Sequence, residues 1–72
     1  MATIKQFETA ALIMGYHLTQ FLCQKSIDNN NNVNMAYGSI QIGNVIKQVR
    51  WDNAGRCFSR SNARMEKYDL KL

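Results

Sequence analysis

The stretch TIKQFETAALIMGYHLTQFLCQKSI, residues 3–27, decides the fold, because its apolar residues repeat at helical spacing. Thr3 with Gln6 three positions later has the capping-box pattern, in which each residue's side chain satisfies the other's backbone N–H. Ile4, Phe7, Ala11, Met14, Leu18 and Phe21 then alternate spacings of three and four, which lines them up on one stripe of a helix. Gly15 weakens such a helix by about 1 kcal/mol relative to Ala without ending it. The pattern predicts one long helix over residues 3–27. At about 100° per residue, Leu12, Tyr16, Cys23 and Ile27 fall roughly opposite the main stripe, with Ile13 between the two groups. A helix apolar on two sides needs two surfaces to pack against. One is the domain's own sheet. Leu12, Ile13, Tyr16, Cys23 and Ile27 are then the candidate self-association face of a homodimer.

Downstream, residues 28–36 read as a polar connector, with four consecutive Asn at 29–32. Asn bonds its own backbone and tolerates left-handed conformations, which ends helices and builds turns. From Tyr37 the period shifts towards two. Ile40 and Ile42, then Val45, Val49 and Trp51, alternate with Gln41, Gln48 and Arg50. Gly43-Asn44 between them suits a type II′ hairpin turn, with Gly at the first central position. Residues 52–55, Asp-Asn-Ala-Gly, make a second turn before a returning strand at 56–59. A two-residue loop there sets Val49 opposite Phe58 and Trp51 opposite Arg56. A three-residue loop with a Gly bulge shifts every pair. The first register is preferred, since it groups the aromatics and lays Arg56 against the Trp51 ring. Residues 65–72 fit a strand with Tyr68, Leu70 and Leu72 on one face, and also a helix continuing the spacing of Ala54, Phe58, Ser61 and Met65. Strand is placed ahead. The expected fold is therefore α+β: a long N-terminal helix on a three- or four-stranded antiparallel β-meander covering residues 37–72.

Seventy-two residues allow one domain. A chain of this size buries only about 60% of the surface its unfolded form exposes, so a subunit partner would add needed stability. Lys5 and Glu8 interrupt any apolar leader at the N-terminus. The apolar run at 10–23 contains His17, Thr19 and Gln20 and is too short to span a bilayer. The expected setting is cytoplasmic, with no membrane partner and with Cys23 and Cys57 as reduced thiols, although a bridge between them stays open.

Little in the chain suggests catalysis. His17 is the only histidine, and on a helix it points about 120° away from Cys23. Glu8, Asp28, Asp52, Glu66 and Asp69 show no acid–base spacing. Two distant cysteines and one histidine fall short of a zinc site. Gly38, Gly43 and Gly55 are isolated turn glycines, unlike a phosphate-cradling loop. The expectation is a binding protein, not an enzyme, with no cofactor and no metal. Net charge is +4, and seven of nine Lys and Arg fall in the last 26 residues. Lys47, Arg50, Trp51, Arg56, Arg60, Arg64 and Lys67 are the candidate contacts if the ligand is nucleic acid, since Arg suits phosphates and stacks on bases. Asp52, Glu66 and Asp69 dilute that field, and Trp51, Phe58 and Tyr68 are equally explained as core. A protein partner is ranked ahead of nucleic acid.

In kind, the chain resembles the short accessory proteins of enterobacterial phages and prophages. It is brief, basic and single-domain, with an N-terminal amphipathic helix and a small sheet such as the turns at Gly43-Asn44 and 52–55 would build. The resemblance implies a protein that binds a host protein or nucleic acid and alters its activity. It assigns no site residue.

Overall fold

A computed structural model describes residues 2–25 and 31–72. Helix α1 spans Ile4–Met14. Its start is the capping box read from the sequence: the Gln6 N–H donates to Thr3 Oγ1 at 3.4 Å, and the Thr3 N–H to Gln6 Oε1 at 2.8 Å. Its end is not where the spacing placed it. Gly15 takes the left-handed conformation, φ 76°. The Tyr16 N–H then reaches back to the Ala11 carbonyl at 2.9 Å and the Gly15 N–H to the Leu12 carbonyl at 3.2 Å. These two bonds form a Schellman motif, which satisfies carbonyls that a continuing helix would have used. The helix expected to reach residue 27 thus stops after 11 residues, and His17–Lys25 is strand β1. Residues 26 and 27 lie outside the described residues.

Strands β2 (Asn31–Ile42), β3 (Val45–Asp52) and β4 (Cys57–Ser59) follow, and the sheet is an antiparallel meander in the order β1-β2-β3-β4. The α+β class and the meander agree with expectation. The expected connector 28–36 does not, since residues 31–36 belong to β2; residues 28–30 lie outside the described residues. The twelve-residue β2 organises the sheet. It pairs with β1 on one side and β3 on the other, and beyond the end of β3 its Asn32 bridges Thr3. The Val33 N–H donates to the Ala2 carbonyl at 2.8 Å, so the segment before α1 is stitched to the sheet that α1 covers.

Between β2 and β3 the loop is Gly43-Asn44, with Ile42 paired to Val45 and positive φ at Gly43 alone of the two. This is the pattern of a type II′ turn. The next turn corrects the preferred register. Trp51 pairs with Cys57 and Arg50 with Phe58, so the loop has three residues, closed by Gly55 at φ 82°. A Cβ at Gly55 would also lie 2.7 Å from the Leu70 carbonyl oxygen, so glycine is required twice over. Asp52 holds the turn: its Oδ1 accepts the Ala54 and Arg56 N–H groups, and its Oδ2 accepts Arg56 Nε at 2.8 Å. Arg56 is therefore drawn to Asp52 and not to the Trp51 ring.

The C-terminal segment is neither the expected strand nor a helix. It makes one bridge, Arg64 to Phe58, then a single 3-10 turn at Glu66–Tyr68. The core lies between α1 and one face of the sheet. Phe7, Val33, Val49, Trp51 and Cys57 are fully buried there, with Ala10, Ala11, Ala36 and Ile40 filling the narrow contacts. Leu18 and Phe21, expected on the helix, pack against this core from β1, with Phe21 edge-on to Phe7 at 6.4 Å.

The cap at Gly15 has a sign that can be measured. Nothing lies within 4 Å of a Cβ built there, so Gly15→Ala introduces backbone strain alone. It should destabilise the protein by about 1 kcal/mol or somewhat more. In an uninterrupted helix the same change would stabilise by about 1 kcal/mol. Urea denaturation of the variant should show a lower midpoint, and a higher one would contradict the cap.

Candidate interaction surfaces

Strand alternation sorts the side chains onto two faces. The face opposite α1 carries rows fixed by register: Gln20, Tyr37, Arg50 and Phe58 across all four strands, with His17, Ser39 and Gln48 in the row beside it. Arg50 lies between the two rings of its row. Its guanidinium sits 4.6 Å from the Phe58 ring centre and donates from Nε to Asn62 Oδ1 at 3.2 Å. Asn62 adopts φ 71°, the only non-glycine residue among those described with positive φ. Just past β4, Arg60 lies 5.0 Å over Tyr37, and Arg64 lies 5.3 Å over Phe58 from another side.

The seven candidate nucleic-acid contacts therefore separate. Arg50, Arg60 and Arg64 converge on this face. Trp51 is excluded, because it is fully buried, stacked on Tyr16 at 5.7 Å and donating from Nε1 to the Tyr68 carbonyl at 3.0 Å. Arg56 is bound to Asp52, Lys47 shares a face with Ile40 on the helix side, and Lys67 lies in the 3-10 turn. Arg64 is also committed, gripping Asp69 with two parallel bonds of 2.6 and 2.7 Å. Tyr37 and Asn62 were absent from the candidates. Tyr37 was legible, since it sits out of phase with Ile40 and Ile42 on the polar side of its strand. Asn62 gave no signal, because its role depends on a register that the sequence left open.

The candidate self-association face also comes apart. Leu12 and Ile13 stay on α1, 80% and 78% exposed. Tyr16 turns inward onto Trp51, and Cys23 is an exposed residue of β1. Ile27 lies outside the described residues. Leu12 still has apolar company: with Ala11, Tyr16 and Leu18 it lines a shallow groove of about 180 Å³ between the end of α1 and the start of β1.

The two edges of the sheet differ. Beyond β4 the chain returns along the edge: the Cys57 N–H donates to Asp69 Oδ1, and the Met65 N–H and Arg64 Nη1 donate to the Cys57 carbonyl. The outer edge of β1 pairs with no described strand. Cys23 and Cys57 belong to these opposite edges, about 14 Å apart for three strand spacings. That exceeds the reach of a disulfide, and both are free thiols. Among the described residues no three His, Cys, Asp or Glu side chains are placed to hold a metal ion. No helix among them is long and apolar enough to cross a membrane.

Cys57 and Asp69 are among the groups whose acidity is perturbed, for visible reasons. Burial pushes the Cys57 thiol up to about 11, with the Asp69 carboxylate adding to the rise. The Arg64 bonds hold the Asp69 carboxyl below its usual range, helped by the Cys57 N–H. No known protein family, curated protein or solved structure matches the chain.

The thiols should react unequally. At mildly alkaline pH a disulfide reagent should modify Cys23 in the native protein and Cys57 only after denaturant is added, since thiolate and access are both needed. Equal rates would place Cys57 outside the core. Asp69 has a depressed folded pKa. Its stabilising contribution is therefore complete above the unfolded value, about 4, and is lost as pH falls through the lower folded one. Asp69→Asn should be less stable than the parent at neutral pH and lose less stability on acidification. Urea titrations at neutral pH and below the usual carboxylate range read this directly.

Proposed function

We propose that the protein is a non-enzymatic interaction module that self-associates and modulates a protein partner by accepting a further strand along the outer edge of β1. The observation that carries this reading is the open edge itself. From His17 to Gln24 it has no proline and no Asp, Glu, Lys or Arg. Such an edge offers unpaired backbone groups in register for another chain, and sheets that avoid pairing place charges, prolines or a covering segment there. The bulge at Thr19 interrupts the strand near its start, and a second register shift falls between Leu22 and Cys23, leaving Gln20 to Leu22 in regular pairing between them. Exposed apolar side chains flank the edge, with Leu22 45% exposed and Leu12 bordering the groove beside His17 and Leu18. Strand addition draws affinity from main-chain bonds and specificity from side chains such as these. A second copy and a partner's segment use the same groups, so each displaces the other. The resemblance to phage-type accessory proteins agrees with a host protein as that partner.

Charging the edge tests the proposal. Size-exclusion chromatography with light scattering should give a dimer mass for the parent at micromolar concentration. The double variant Gln20→Lys, Leu22→Lys should give a monomer with an unchanged circular dichroism spectrum. A protein retained from lysate by the parent should be lost by the variant. A monomeric parent whose retained proteins are the same as the variant's would end the proposal.

A further inference from the structure

The open sheet face, distinct from the β1 edge, carries a second site. We infer that it binds single-stranded nucleic acid, with Arg50 and Arg60 meeting phosphates and the Tyr37–Arg60 pair supporting a base. Three observations converge on this ligand. First, the face is short of carboxylates. The rows from His17, Ser39 and Gln48 to Leu22, Met35 and Asp52 contain one, Asp52, and it is bonded to Arg56. Asp69, at the margin, is bonded to Arg64. Two of the three acidic residues that dilute the basic cluster, Asp52 and Asp69, are thus paired off locally, while Arg50 and Arg60 have no carboxylate within salt-bridge distance among the described residues. That leaves a positive field on one flat surface, complementary to a polyanion.

Second, these guanidiniums are held in place. Arg50 is fixed by Phe58 beneath it and Asn62 beside it, and Arg60 rests on Tyr37. A planar cation lying on a ring keeps outward donors for phosphate oxygens and presents a face on which a base can stack. Third, the two rows nearest the arginines carry neutral polar groups: Gln20, Ser39 and Gln48 can exchange hydrogen bonds with base edges. Duplex DNA offers no unstacked bases to such a flat platform, whereas single strands bind by stacking together with a basic surface.

Anisotropy of a labelled oligothymidylate tests this, with a labelled duplex, and heparin as a polyanion without bases. At about 50 mM salt the single strand should bind saturably and in preference to both. Its affinity should fall with salt along a log–log slope of about −0.7 per phosphate neutralised. Arg60→Ala changes an exposed side chain and should fold with an unchanged melting temperature. It should weaken binding roughly fivefold or more and flatten the slope by about 0.7. Arg60→Lys, keeping charge without the plane, should fall between. Lys5→Ala, which removes the same charge from α1, should leave affinity within about twofold of the parent. Absence of binding, equal binding of heparin, or equal loss in Arg60→Ala and Lys5→Ala would overturn the inference. Arg60→Ala leaves the β1 edge untouched, on the far side of the sheet, and should keep the parent's mass by light scattering, so failure of strand addition and failure of this site are separable.

Discussion

The burial of Trp51 is the constraint on which the rest of the structure depends. Its ring stacks on Tyr16, directly after the helix cap, and its indole N–H is taken by the Tyr68 carbonyl in the C-terminal segment. One side chain on β3 thus joins α1, the sheet and the final residues. Room for it comes from β2. A Cβ on Gly38 would collide with the His17 carbonyl and lie 3.0 Å from Trp51 Cζ3. Gly38 lets β1 and the indole close on the same point. In a chain too small for a large core, one aromatic spanning three elements contributes a disproportionate share of the buried apolar surface.

The sequence was legible where local chemistry has one solution. The capping box, the Gly43-Asn44 turn and the period-two run from Tyr37 are each satisfied by neighbours a few residues away, and each is present. The long helix was a false reading with a physical cause. Leu18 and Phe21 lie three apart and share a face, as on a helix, because the bulge at Thr19 inserts one residue into β1. A bulge converts a strand's spacing of two into three, and this one spacing, following the true helix that ends before Gly15, imitates a continuous helical stripe. Gly15, read as a mild defect inside the helix, is its terminator.

The second turn was misjudged for a related reason. Grouping aromatics favoured a two-residue loop, but Asp52 accepts bonds from two backbone N–H groups and from Arg56, and Gly55 supplies the left-handed residue that a three-residue loop demands. The change of register by one residue decides the surface. It pairs Phe58 with Arg50 on the open face and sends Cys57 inward beside Trp51. The basic residues were visible as a cluster. Which of them are held by carboxylates depends on contacts across the C-terminal segment, where periodicity carried no information.

The two-residue turn at Gly43-Asn44 also orders events in time. β2 and β3 form an uninterrupted ladder of eight pairs from Ile42–Val45 to Met35–Asp52, with the least chain to close. Loop closure costs least where the intervening chain is shortest, and local pairing speeds folding. β1 joins this ladder through two irregularities and a longer connection. Helix α1 gains its aromatic contacts only once Trp51 and Phe21 are in place. The hairpin is the natural nucleus, onto which β1 and α1 then dock.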